Sequence, residues 1–212
     1  STGTFGAFDN EHGVTTATID NSGTIGQISL LNEAAGGGAV LTLTGSGSTT
    51  VTAITAGTAD LVLTSSGLGA RIFTSLTSTD NATVTLSGSG ANVLSALDVA
   101  DNATVDVSGM TGAITVDVSD VEDTLTVTGS AEVGFTSLTI LEATQTATVT
   151  LGVNGVTDHF ITGSALTTTT MTIANFKAGA AASGGDTIDL DLTGLEAWGV
   201  DSNVILPGTT TG

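Results

Sequence analysis

Residues 73–111 say nearly the same thing twice. FTSLTSTDNATVTLSGSG is followed by ANV and then LSALDVADNATVDVSGMT, so that Leu76 maps onto Leu97 and Asp80-Asn81-Ala82-Thr83-Val84 onto Asp101-Asn102-Ala103-Thr104-Val105, 21 residues on. Ser87-Gly88 likewise maps onto Ser108-Gly109. A repeat of this length constrains the fold more than any other feature, because each copy is a unit that buries its apolar face only against its neighbours.

The period runs well beyond these two copies. An alternating apolar strand, often closed by glycine, recurs as LTLTGSG at 41–47, LVLTSSG at 61–67, VTLSGSG at 84–90, VDVSGMTG at 105–112, LTVTGSA at 125–131 and VTLGVNG at 149–155. One apolar residue per copy gives Leu43, Leu63, Leu86, Val107, Val127, Leu151, Ile173 and Leu192, with gaps of 20, 23, 21, 20, 24, 22 and 19. A second alternating strand precedes the first in most copies, among them VTAIT at 51–55, FTSLT at 73–77 and FTSLTIL at 135–141. Alternation at period two, punctuated by Gly, Asn and Asp, is the signature of short strands joined by turns.

These features predict an all-β chain wound as a right-handed parallel β-solenoid of about 21 residues per coil, with eight or nine coils. An antiparallel β-sandwich is the alternative, since it also shows short strands at regular spacing. Recurrence of like residues at one phase favours the solenoid, where equivalent positions stack about 4.8 Å apart. Composition agrees: 43 Thr and 29 Gly accompany 40% hydrophobic residues, and Thr keeps β-propensity on an outer face. Three regions are expected: an N-terminal segment 1–22, with STGTFGAF as a strand lent to a neighbouring subunit; solenoid repeats 23–170; and a C-terminal segment 171–212 that continues the solenoid. The chain, starting STGTF and ending PGTTTG, reads as a segment of something longer.

Charge narrows the function classes. Lys plus Arg total 2 against 21 acidic residues, a net charge of −19. With Arg71 and Lys177 as the only strong cations, phosphate neutralisation is out of reach, which excludes nucleic acid as a partner, and an anionic membrane surface repels the chain. Divalent cations suit it. Asp60, Asp80, Asp101 and Asp123 recur at intervals of 20, 21 and 22 just before a strand, joined by Asn81 and Asn102. Stacked, such turns would offer the carboxylate, amide and backbone oxygens that Ca²⁺ takes. Asn81-Ala82-Thr83 and Asn102-Ala103-Thr104 are also N-x-T sequons; repeat copying accounts for both, and glycosylation is the competing reading.

Catalysis finds little material. His12 and His159 are the only histidines, no Gly-x-Ser-x-Gly elbow or zinc spacing exists, and paired carboxylates such as Asp117/Asp120 lack the aromatic platforms and cations of sugar clefts. The chain is read as non-enzymatic.

The stretch Ile173-x-Asn175-Phe176-x-x-Gly179, followed by Gly184-Gly185-Asp186-x-Ile188-Asp189-Leu190, resembles the segment that follows the glycine- and aspartate-rich repeats of the RTX superfamily. The resemblance covers about 20 residues and no tandem nonapeptide run accompanies it: in GGDTIDLDL, Thr187 stands where Gly belongs and Asp191 where an apolar residue belongs. It implies a calcium-binding bacterial protein exported by type I secretion and folding outside the cell, with Asp186, Asp189 and Asp191 as further metal candidates. The Thr- and Gly-rich style also resembles lattice-forming parts of surface-layer proteins. The expected function is therefore a structural, self-assembling surface-layer or filament subunit at the cell surface, with copies of itself and cell-surface polysaccharide as partners. The alternative is a stalk or passenger module of a large calcium-dependent adhesin.

Overall fold

The computed structural model describes residues 5–9, 16–20, 23–29, 38–58, 60–140, 146–152, 156–162, 170–177 and 184–190. Their strands follow the repeat. Phe5–Asp9 (β1) and Thr16–Asp20 (β2) form one turn, Gly23–Ser29 (β3) and Ala39–Thr44 (β4) the next, then Thr49–Ala56 (β5) and Leu61–Ser65 (β6). In three central turns the first strand is broken in two. Arg71–Phe73 (β7) and Leu76–Ser78 (β8) precede Ala82–Gly88 (β9); Asn92–Leu94 (β10) and Leu97–Val99 (β11) precede Ala103–Met110 (β12); Ile114–Asp117 (β13) and Asp120–Val121 (β14) precede Thr124–Thr128 (β15). Phe135–Ile140 (β16), Thr146–Thr150 (β17), His159–Thr162 (β18), Thr170–Ala174 (β19) and Thr187–Leu190 (β20) follow.

Alternate strands go to alternate sheets. β2, β4, β6, β9, β12, β15, β17 and β19 build an 8-stranded sheet, one strand per turn, and the others build a 12-stranded sheet. The pairings are parallel throughout the described strands; Val84 is the Cα partner of Val105, and Val105 of Val127. The molecule is a right-handed parallel β-solenoid, the hand that twisted strands joined by crossovers adopt. The parallel pairing of consecutive turns rules out the antiparallel sandwich.

Register corrects the column drawn from sequence. The true inward column runs Leu41, Leu63, Val84, Val105, Val127, Val149 and Ile173, with gaps of 22, 21, 21, 22, 22 and 24. Leu43, Leu86 and Leu151 lie two residues further along, at the next inward position. Val107 is there as well, beside a register shift between Asp106 and Gly109. Leu192 lies outside the described residues. The two FTSLT words are also out of phase: Phe73 stacks on Leu94, Val116 and Leu138, whereas Phe135 stacks on Ile114.

Within segment 1–22, Phe5–Asp9 pairs in parallel with β3 and Thr16–Asp20 with β4. Of the segment 171–212, residues 171–177 and 184–190 are described, and β19 and β20 lie at the ends of the two sheets.

Between the sheets lies a dry strip of Val, Leu, Ile and Ala with Phe73, Phe135 and Phe160, all buried. Each fully buried aliphatic contributes about 1.5–3 kcal/mol, and every turn repeats the set, so the core grows with the number of turns rather than with aromatic content. Stacked glycines mark the corner after the 8-stranded sheet. A Cβ on Gly69 would lie 2.2 Å from the Gly47 carbonyl, and one on Gly90 2.1 Å from that of Gly69. The recurring Gly-x-Gly words are thus positions where one turn rests directly on the backbone of the last.

Candidate functional site

Three polar constellations stand out from the threonine-covered surface. The first is the Asp/Asn corner before the 8-stranded sheet. Leu61, Ala82, Ala103 and Leu125 are successive Cα partners, so the residues just before them form one column: Asp60, Asn81, Asn102 and Thr124. Asp80, Asp101 and Asp123 each stand one place earlier and form a second. The single file of four aspartates drawn from sequence is therefore two adjacent files, with Asp60 in the amide file.

Hydrogen bonds tie the files together. Asn81 Nδ2 donates to Asp60 Oδ1 at 2.9 Å and to Asp80 Oδ1 at 3.0 Å, and Asn102 Nδ2 donates to Asn81 Oδ1 at 3.0 Å. The Asn81 amide thus lies between two carboxylates and separates their charges. Asn102 is turned to Asn81, and Asp101 lies beside Asp80 of the preceding turn with no amide bridging their two carboxylates among the described residues. Partial desolvation, then Asp80, Asp123 and Asp60, raise the Asp101 pKa. Among the described residues, no three His, Cys, Asp or Glu converge to hold one metal ion.

The second constellation lies where the resemblance placed metal ligands. Asp158 and Asp186 are buried, 3% and 6% exposed. Asp158 Oδ1 accepts the Phe135 N–H at 2.6 Å; Asp186 Oδ1 accepts the Asp158 N–H at 3.0 Å and its Oδ2 the Lys177 N–H at 2.7 Å. Each carboxylate supplies the acceptor that a strand-entry N–H would otherwise lack. Burial raises the Asp158 carboxyl to about 6; the Phe135 N–H opposes this and the Asp186 charge adds to it. Both Asp186 oxygens thus accept backbone N–H groups. Asp189 is the Cα partner of Ile161, and Asp191 lies outside the described residues.

The other residues that carry the resemblance also have work in the turn between β19 and β20. Asn175 adopts φ 66° and its Nδ2 donates to the Leu151 carbonyl at 2.8 Å. Phe176 packs on Phe160 with ring centroids 6.3 Å apart, and Ile188 stacks on Phe160 from the next strand. His159 opens β18 beside Asp158, and His12 lies outside the described residues.

The third is Arg71, one of the two strong cations of the sequence. It is 2% exposed. Its guanidinium donates to the carbonyls of Gly45 at 2.8 Å, Gly47 and Ser66 at 3.3 Å, spanning two stacked corners. Burial lowers its pKa, and the charge of Asp20 opposes that effect. The inward column it occupies continues through Asn92, Ile114 and Phe135, so a polar residue fills a slot held by apolar ones two turns later. No sequence signal marked this, because Arg on a strand ordinarily faces water.

Comparison with protein-family models, with curated proteins and with solved structures finds no match.

Proposed function

We propose that the protein is a structural, self-assembling extracellular subunit, part of a surface layer or surface filament, whose acidic surfaces are bridged by calcium. The observation that carries this reading is the continuous in-register stack from β2 to β19, which repeats one surface along a rod, as lattice and filament subunits require. The net charge of −19 supports a role for divalent cations in bringing such rods together. Calcium takes six to eight oxygens. The Asp80–Asp101–Asp123 file offers carboxylates in pairs rather than as a cage, so an ion there would complete its shell with water or with oxygens of a neighbouring chain. The likeness of residues 173–190 to the RTX end segment adds secretion and calcium to the reading, although Asp186 is committed to the backbone.

Negative-stain microscopy of the purified protein with millimolar calcium tests it. Regular sheets or fibres that disperse on chelation are expected. Dispersed rods under all calcium conditions overturn self-assembly and favour the stalk of an adhesin.

A further inference from the structure

We infer that the outer face of the 8-stranded sheet is the surface through which copies of this chain pack side by side, an inference that rests on the self-assembly reading above. That face differs chemically from the rest of the molecule. One outward column holds Thr83, Thr104, Thr126, Thr148 and Thr172, continued by Val62 and Val40. The column two residues along holds Thr42, Thr64, Thr85, Thr128 and Thr150, interrupted once by Asp106. All eight strands together contain two ionisable residues, Asp20 and Asp106. Asp106 is drawn back, its Oδ1 accepting the Ser108 N–H at 2.9 Å.

Acidic residues gather elsewhere. Asp98 stacks on Asp120 on the other sheet, and Asp80, Asp101 and Asp123 occupy a corner. In a molecule of net charge −19, like charges brought face to face cost several kcal/mol. The threonine face is where two copies meet without that cost, with methyl groups to desolvate and hydroxyls to pair. Its size sets how strong the contact is. Eight strands about 4.8 Å apart and five residues at about 3.3 Å cover roughly 600 Å², so a pair buries about 1,200 Å², the lower limit for a specific interface. Such a contact is weak between two molecules and becomes strong when repeated across an array.

The test compares four proteins by light scattering over a concentration series and by negative stain, in millimolar calcium. They are the wild type, Thr83→Asp/Thr126→Asp, Asp106→Thr, and the control Thr50→Asp/Thr115→Asp, which adds equal charge to the other sheet. Circular dichroism confirms folding of each. The expected result is that Thr83→Asp/Thr126→Asp needs at least about tenfold more protein to associate laterally, the equivalent of ~1.4 kcal/mol. Asp106→Thr associates at lower concentration and the control matches the wild type. A folded Thr83→Asp/Thr126→Asp protein that assembles like the wild type overturns the inference and leaves the self-assembly reading standing. Failure of the wild type to assemble overturns both.

Discussion

Replacing Gly88 with alanine puts a methyl group where the stack has no room. Gly88 has φ 110°, and its Cβ would stand 1.9 Å from the Gly67 carbonyl oxygen and 2.9 Å from the carbon. The positive φ alone costs about 1–2 kcal/mol for a residue with a side chain. To reach ordinary contact the corner must open by more than about 1 Å, although successive strands lie only about 4.8 Å apart. That strains the Thr111 N–H bond to the Gly88 carbonyl, 2.9 Å long, and a lost hydrogen bond is worth about 0.5–1.5 kcal/mol. The reduced freedom of the unfolded chain returns about 0.4–1 kcal/mol. Gly88→Ala is thus expected to destabilise by about 0.5–3 kcal/mol on these terms. Gly38→Ala is the control, because its Cβ would meet nothing closer than the Asp60 carbonyl at 3.7 Å. Urea unfolding followed by circular dichroism gives both values. A Gly88→Ala protein within about 0.5 kcal/mol of the wild type, the ordinary range for a harmless surface change, would refute the close stacking of glycine corners. So would equal damage from Gly38→Ala.

Other expectations follow from the polar constellations. Asp158→Asn tests the buried acid: its folded pKa, raised to about 6 from 3.8, means that the native state holds a proton the unfolded state has released. Its contribution is therefore full below about pH 4 and is lost as pH rises through 6. Screened by nearby water, the effect is about 1–2 kcal/mol, and the difference in stability between wild type and Asp158→Asn should change over that window and be flat above it. A difference independent of pH would contradict the assignment. Arg71→Ala should cost about 2–4 kcal/mol in urea unfolding, since buried carbonyls of two corners lose a charged donor; a neutral result would show that those carbonyls find other donors. If calcium bridges the acidic file, the melting temperature should fall on chelation in the wild type. The fall should vanish in Asp80→Asn/Asp101→Asn; an equal fall in both proteins would remove this file from the calcium account.

The repeat made the architecture legible because a solenoid converts sequence period into spatial contact. Strand positions such as 51–55 and 84–88 were readable from alternation alone. Phase was not. Val84 and Leu86 both point inward, so a two-residue slip preserves every inside-outside assignment, and only the hydrogen-bonded register separates them. A one-residue offset at the turn, where no alternation fixes the phase, put Asp60 in line with Asp80, although it stacks on Asn81. The pairing of Asp158 with Asp186 was not legible because it spans 28 residues, away from the shorter spacing of the central turns. The burial of Arg71 was not legible because its inward slot is defined by carbonyls of the corners at 45–47 and 66, which no residue identity announces.

The chain has no cysteine, so introduced pairs report proximity without background. Thr83 and Thr104 are Cα partners on neighbouring turns, within the roughly 4.4–6.8 Å between Cα atoms that a disulfide spans. Thr83→Cys/Thr104→Cys should oxidise readily to an intramolecular disulfide with the fold intact, while Thr83→Cys/Thr126→Cys, two turns apart, should not. Cross-linking of the second pair in preference to the first would contradict the stacking of 21-residue turns on which every other conclusion depends.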